Sequence, residues 1–356
     1  MTVSSSPPGI PSPARLEAWI SENLDGGGPA ELSDIKLIAG GRSNLTYRLT
    51  LANAPGGPRD IVLRRPPLGH VLPTAHDMSR EFRVLSGLTG TPVPVARPLA
   101  MCADTEIIGA PFYLMAYVPG SVLRTRQDTS VLSEAQAAAL SERLADMLAA
   151  IHGTDLAATG LSGLGKGAGY LKRQLDRWQR QWEQSKSREM PGYDELVARL
   201  TAAVPPEGDV TLVHGDFRLD NVLVTVDPQP QIAAVVDWEM ATLGDPLADL
   251  GLTLVYWAEA ADQAGSRGIG TDGTTTPGFM TRAEFAAAYA ERTGRDVSRI
   301  SYYTAFGYFK LAVVVEGIYA RFLKKQTVGE GFGEEGQVVP VLVARAHEIL
   351  DADGSA

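Results

Sequence analysis

The sequence predicts an α+β chain: a small, mainly antiparallel β unit with one internal helix, then a larger, mainly helical unit. Three observations predict it. Strand-like stretches rich in branched and aromatic residues crowd the segment from Ile35 to Tyr117, and a single helical stretch interrupts them. The pattern then changes at Pro119-Gly120, after which long helical periodicities dominate. Inside that helical part, short apolar runs flank one polar loop, HGDFRLDN (214–221).

The elements follow in order. Residues 1–12 are Ser/Pro-rich and are expected to form a disordered tail. Ala14 to Leu24 reads as a short amphipathic helix. The strands are expected at Ile35 to Ala39, Leu45 to Leu51, Ile61 to Arg64, Arg97 to Cys102 and Phe112 to Tyr117. Met78 to Leu88 carries Phe82, Leu85 and Leu88 at helical spacing. Beyond Pro119, Ser133 is a helix N-cap for a stretch running to His152, and Tyr170 to Lys186 forms the next helix. Val210 to Val213, Asn221 to Val226 and Ile232 to Val236 are β-type, with Asp227-Pro228 and Pro230 turning the last two into a hairpin. Helices are expected near Pro246 to Ala261, Arg282 to Thr293, Ser298 to Lys325 and Val338 to Leu350. The domains are therefore placed at 13–118 and 119–356. The Gly- and polar-rich stretches Gln263 to Gly278 and Gln326 to Gly336 are read as surface loops, with a substrate lid as the alternative.

With 356 residues the chain is long enough for a sizeable core. Its net charge of −10 gives no electrostatic support for binding nucleic acid. Cys102 is the single cysteine, so no intramolecular disulfide forms; its apolar surroundings make it a core residue. No segment approaches the ~20 apolar residues of a membrane span, and the N-terminus has neither a basic start nor an apolar run. A cytoplasmic enzyme is the expectation, with its oligomeric state left open.

The chemistry concentrates in the polar loop. Asp216 and Asn221 are five residues apart, and Asp237 follows in VVDWE at the end of the hairpin. Phosphoryl transfer needs such a grouping: a carboxylate to orient the attacking hydroxyl, then an amide oxygen and a second carboxylate for Mg²⁺ on the phosphates. Protein kinases use the same order and the same spacing. Asp216 is therefore the candidate base, and Asn221 and Asp237 are the candidate metal ligands. Taken singly, each would be a turn or strand-end residue; the ordered set carries the assignment. His214 is read as ordering the loop. Asp245 with Pro246 reads as a helix start, and Asp249 as a partner of the loop backbone.

The nucleotide, ATP, is expected on the β unit. Gly40, Gly41, Ser43 and Asn44 fall in a turn whose backbone N–H groups can approach phosphate. The third strand ends in Arg64-Arg65, and alternation from Val62 selects Arg64 for the site. Glu81, on the one helix, is its expected ion-pair partner, and Arg supplies a bidentate fork to phosphate. Adenine is expected along FYLMAYVPG, near Met115, with main-chain bonds around Ala116 and Val118.

At this point the chain resembles the aminoglycoside phosphotransferase-like superfamily, which includes choline and homoserine kinases. HGDFRLDN resembles its catalytic loop, DWE its metal-binding motif and GDPLADLG the following segment. GGRSNLTYRL, VLRRPP with LPTAHDMSREFRVL, and GAPFYLMAYVPG resemble more narrowly the kinase-like domain fused to some acyl-CoA dehydrogenases and its free-standing bacterial relatives. The resemblance runs from about Ile35 to at least Tyr319. It implies a two-lobed protein-kinase-like fold, Asp216 as base, Asn221 and Asp237 as Mg²⁺ ligands, and Arg64 with Glu81 at the phosphates. The one departure is the triplet after the hairpin, here Asp237-Trp238-Glu239.

The acceptor is less defined. Fold does not fix function, and a small hydroxylated molecule is all that the motifs require. The resemblance points to a hydroxyacyl-CoA or similar metabolite. An aminoglycoside acceptor and a catalytically silent binding protein are the alternatives. The acceptor is expected beside Asp216, near Trp257, Glu259 and the helices from Arg282 onward. Glu259 is read as a solvated helix charge, and Tyr256-Trp257, Tyr302-Tyr303 and Phe306 as core, with the lining of an apolar pocket as the alternative.

Overall fold

The computed structural model describes residues 7–24, 30–38, 44–53, 59–68, 77–262, 271–324 and 336–354. They form two compact units. The first comprises Met1–Pro119 with Ala233–Glu239, the second Gly120–Ile232 with Met240–Ala356. The return of 233–239 to the first unit has a local cause: the Val235 N–H donates to the Pro94 carbonyl at 2.8 Å.

The first unit is built on a five-stranded sheet of order β1-β2-β3-β5-β4. Its strands are β1 (Leu32–Leu37), β2 (Leu45–Leu51), β3 (Arg59–Arg65), β4 (Pro98–Cys102) and β5 (Phe112–Ala116). Every pairing is antiparallel. In the register, Arg64 stands opposite Thr46 on β2 and Tyr113 on β5. One face packs against helix α1 (Pro13–Asn23) around Leu16, Ile20, Tyr47, Leu49, Phe112 and Leu114. Helix α2 (Met78–Leu88) starts at Asp77, whose carboxylate caps the N–H groups of Ser79 and Arg80. Its inward residues Met78, Glu81, Val84, Leu85 and Leu88 recur every three or four positions, which sets Glu81 on the buried face. The tail departs from expectation over Pro7–Ser12. There Ile10 is fully buried in the core, the Tyr47 hydroxyl donates to the Pro8 carbonyl, and Ser12 caps α1. An apolar residue two positions before the cap anchors what composition alone assigns to disorder.

The second unit is helical: α3 (Arg126–Thr129), α4 (Glu134–His152), α5 (Tyr170–Ser185), α6 (Tyr193–Ala202), α7 (Pro246–Tyr256), α8 (Arg282–Thr293), α9 (Ile300–Leu323) and α10 (Val338–Ala352). Its core gathers α5, α6, α9 and α10 around Trp178, Trp182, Tyr193, Phe309 and Leu342. Short strand β6 (Thr211–Val213) leads into the polar loop and pairs antiparallel with β9 (Thr242–Gly244). The β7 (Val222–Thr225) and β8 (Gln231–Val235) segments form the hairpin that follows the loop. Asn221 belongs to a 3₁₀ turn before β7, one residue short of the strand it was expected to open.

The stretch 263–278 is not all surface loop. Residues 263–270 lie outside the described residues, but Thr274, Thr275 and Thr276 are buried, and the Thr129 hydroxyl bonds both the Gly273 carbonyl and Thr276. Most of 326–336 also lies outside the described residues. No described helix is long and apolar enough to cross a membrane.

Candidate active site

In the first unit, the residues expected at the phosphates form a buried ion cluster. Arg64 Nε donates to Glu81 Oε2 at 3.0 Å, and its Nη2 is paired with Asp237. Glu239 lies 3.8 Å from the same guanidinium, and the Tyr113 hydroxyl bonds Glu81. Arg64 and Glu81 side chains are only 12% and 3% exposed, so their charges meet little water. Burial pushes the Glu81 carboxyl up to about 7, and Asp237 and Glu239 add to this against the pull of Arg64. The Arg64 guanidinium is raised too: desolvation acts first against its charge, and its carboxylate neighbours overcome it. Arg65 faces away and donates to the Gly9 and Ile108 carbonyls. The strand phase read from alternation therefore places Arg64 with Glu81.

Asp237 adopts φ 67°, the left-handed region that a non-glycine residue rarely enters. Such strain, on a residue whose carboxylate also holds Arg64, marks a position kept for its geometry. Asn44 is buried, with its Nδ2 donating to Glu239 at 2.8 Å and its Oδ1 without a hydrogen-bond partner. Gly40, Gly41 and Ser43 lie outside the described residues. Along β5, Met115 is half-buried. The Ala116 N–H is committed to the Arg97 carbonyl at 2.8 Å, so it offers no donor to a base. No such bond occupies the Val118 N–H among the described residues.

In the second unit, the polar loop is held rigidly. Gly215 takes φ 82°, and a Cβ there would stand 2.8 Å from the Met240 carbonyl oxygen, so only glycine fits. Asp249, from the first turn of α7, accepts from the N–H groups of His214 (2.6 Å) and Gly215 (2.9 Å). His152, at the end of α4, bonds the same carboxylate at 3.3 Å and the Tyr289 hydroxyl at 2.7 Å. Burial holds the His152 imidazole below the ordinary histidine value. Burial works against ionising Asp249, yet its histidine and N–H partners keep it below the usual carboxylate range. Asp245 caps α7 through the Leu247 N–H and accepts from Tyr303, as a helix start does.

Asp216 leaves this loop with its carboxylate 26% exposed. Asn221 Nδ2 donates to the Asp216 carbonyl and carboxylate at 2.8 and 2.9 Å. Both bonds are made by Nδ2, so neither uses the Asn221 side-chain carbonyl oxygen. Arg218 approaches Asp216 at 3.8 Å, pairs with Asp220 at 3.1 Å and stacks over the Tyr256 ring at 4.6 Å. The Tyr256 hydroxyl bonds Asp216, and its own ionisation is suppressed by burial first and by that carboxylate second.

Asn221 in the second unit offers an amide oxygen and Asp237 in the first a carboxylate, each an oxygen donor of the kind that hard cations take. Among the described residues no group of three or more His, Cys, Asp or Glu forms a metal cage. A metal completed by phosphate and water oxygens needs none.

One expectation about the acceptor is corrected. Glu259 is not a solvated charge: it accepts from the Arg282 N–H at 2.6 Å and pairs with its guanidinium at 3.3 Å. Trp257 is buried, donates to the Met280 carbonyl and packs on Phe285, so it belongs to the core as read. Tyr256, also read as core, packs against the core and interacts with Asp216 as well. Sequence reasoning also missed His152, Arg218 and Lys310. Arg218 stands inside the motif itself, and Lys310 is a lone cation in the apolar run YFKLAVVV, which was the available signal.

Comparison with known proteins agrees with this geometry. Residues 34–303 match the family profile described as the phosphotransferase enzyme family. The chain is 33% identical over 317 residues to acyl-CoA dehydrogenase family member 10 of Mus musculus, covering 88% of this chain and 29% of that protein. It thus spans 29% and 41% of the first two acyl-CoA dehydrogenase family members it matches. A solved Ralstonia eutropha chain named for the aminoglycoside phosphotransferases is 31% identical, with TM-score 0.79, covering 95% of this chain and 98% of that one. A thermostable mutant of aminoglycoside phosphotransferase APH(4)-Ia, solved with ADP and hygromycin B, shares the fold at TM-score 0.60 and 17% identity, covering 96% and 99%. With the kinase-like fold, the motif order and the family match in agreement, the chain belongs to the phosphotransferase enzyme family.

Proposed function

We propose that this phosphotransferase transfers the γ-phosphoryl group of ATP to a hydroxyl of a small molecule, with Asp216 as the base. The observation that supports it best is the rigid presentation of Asp216. Its loop is pinned at Gly215, and Asn221 holds its carboxylate at 2.9 Å. A base so fixed and partly exposed can orient an alcohol and accept its proton as the phosphoryl group transfers. Bound Mg²⁺ would neutralise charge on the phosphates, with Asn221 and Asp237 as its protein ligands. Arg64, aligned by Glu81, is the proposed phosphate contact. Asn44 and the Gly40, Gly41 and Ser43 turn are proposed for the nucleotide, with Met115 and the backbone at Val118 for its base.

For the acceptor we favour a hydroxyacyl-CoA or a similar anionic metabolite. The mammalian relative is named for acyl-CoA dehydrogenation, and an acyl-CoA bearing a hydroxyl is a fitting phosphate acceptor. The charges around Asp216 agree. Arg218 lies beside it, while Asp220 is committed to Arg218, and Glu259 and Asp262 to Arg282. A polycationic aminoglycoside would need uncommitted carboxylates. The test is to supply Mg·ATP with hydroxyacyl-CoAs, aminoglycosides and simple hydroxylated metabolites in parallel. ADP release that depends on a hydroxyacyl-CoA is the expected result. Acceptor-dependent release with an aminoglycoside alone overturns the acceptor assignment, and no turnover with any acceptor overturns the reaction.

A further inference from the structure

We propose that Lys310, on α9, is a positioning residue for Asp216, holding the carbonyl of Gly215 and thereby the turn from which the base projects. The inference rests on the phosphotransferase reading of Asp216. Lys310 Nζ donates to the Gly215 carbonyl at 2.8 Å. The N–H of the same glycine is taken by Asp249 at 2.9 Å. The residue just before Asp216 therefore has both backbone groups held by charged side chains, one from α7 and one from α9. Charge-assisted bonds of this kind are roughly twice as strong as neutral ones. Gly215 also sits at φ 82° with no space for a Cβ, so the turn adopts a conformation that most residues would resist.

Lys310 is half-buried, a costly place for an ammonium. Its neighbours on α9, Phe309, Leu311, Ala312 and Val313, are buried, and the Trp178 ring lies 5.8 Å from its ammonium. Taking an ammonium out of water disfavours folding unless a partner compensates. Burial lowers its pKa, Asp216 and Asp249 act in the opposite sense, and Arg177 adds to the lowering. A methionine of similar length would fill this space without that penalty. A stability role alone does not explain the lysine, whereas a fixed carbonyl beside the base does. Asn221, Arg218 and Tyr256 then hold the Asp216 carboxylate, while Lys310 and Asp249 hold the backbone of the preceding Gly215.

The probe is Mg·ATP without added acceptor, water standing in for the alcohol, with ADP formation followed for wild type, Lys310→Met, Lys310→Arg and each combined with Asp216→Asn. Lys310→Met is expected to lower kcat about tenfold to a hundredfold with KM for ATP within about twofold. Lys310→Arg is expected to recover part of the loss. In the Asp216→Asn background, Lys310→Met is expected to add less than about twofold, because a residue acting through Asp216 has nothing left to position. An unchanged kcat in Lys310→Met, a loss that multiplies fully with Asp216→Asn, or an effect confined to KM would each overturn the inference. If Lys310→Met does not fold, Lys310→Gln replaces it, and a neutral variant as active as Lys310→Arg overturns the inference. Absence of turnover in wild type with water and with every hydroxylated acceptor supplied overturns the phosphotransferase reading, and this inference with it.

Discussion

Replacing Arg64 with methionine should destabilise the chain in a pH-dependent way, and the structure fixes the sign. Arg64 and Glu81 are 12% and 3% exposed, so the pair counts as buried, and removing one partner of a buried pair costs about 3–5 kcal/mol. The contact to Asp237 is discounted because that carboxylate is 30% exposed. In Arg64→Met, Glu81 keeps its burial and its acidic neighbours Asp237 and Glu239 but loses the cation that lowers its pKa. Its folded pKa, already raised to about 7, must therefore rise further. A carboxyl with a raised folded pKa binds its proton more tightly when folded. Stability is then greatest below the unfolded value and is lost as pH rises through the folded one, at up to ~1.4 kcal/mol per pH unit. Urea unfolding should show the full deficit of about 3–5 kcal/mol near pH ~8 and one smaller by up to ~1.4 kcal/mol near pH ~5.5, because wild-type Glu81 itself titrates near 7. Adding Glu81→Gln should restore part of the loss near pH ~8, since a neutral amide needs no cation. Equal deficits at both pH values, or no recovery in the double variant, would refute the ion-pair reasoning.

Further outcomes follow from the same geometry. Asp216→Asn should lower turnover by roughly 10²–10⁴ with ATP affinity nearly unchanged, checked by steady-state kinetics and calorimetry. Asp237→Ala should abolish the gain in nucleotide affinity that Mg²⁺ gives, and calorimetry with identical Mg²⁺ dependence in both proteins would exclude it as a ligand. His152 has its folded pKa depressed by burial, so wild-type stability should fall as pH drops through the unfolded value of ~6.5. His152→Gln should flatten that dependence in thermal melts between about pH 5 and pH 7.5. Gly215→Ala should lose at least ~1–3 kcal/mol through backbone strain and contact with Met240, and a melt matching wild type would count against the described turn.

Much of this was legible in the sequence because it is local. Met78–Leu88 has the expected bounds, since Asp77 caps it and its apolar period is clear. Arg64 was separable from Arg65 because side chains alternate along a strand, and the two point to Glu81 and to the Gly9 and Ile108 carbonyls respectively. Asp249 was legible as a loop partner from its place after the Asp245-Pro246 helix start. What was missed depends on distant partners or weak local signals. Strand β9 has only three residues and exists by pairing with β6. Helix α6 is short and starts from Gly192 without a side-chain cap. Lys310 lies 95 residues from the carbonyl it holds, and its role is invisible to periodicity. Glu259 looked solvated because its partner, Arg282, is 23 residues away. Ile10 shows the converse failure, where one apolar side chain in a Ser/Pro tail outweighs composition by entering the core.

The central claim is tested most directly by identifying the product. The wild-type chain and Asp216→Asn would each be incubated with Mg·ATP and a hydroxyacyl-CoA, and the acceptor read by mass spectrometry. The account predicts one phosphoryl group on the acceptor hydroxyl with wild type and almost none with Asp216→Asn over the same time. Equal phosphorylation by both proteins would contradict the role given to Asp216, and an unmodified acceptor with every hydroxylated compound supplied would contradict the phosphotransfer itself.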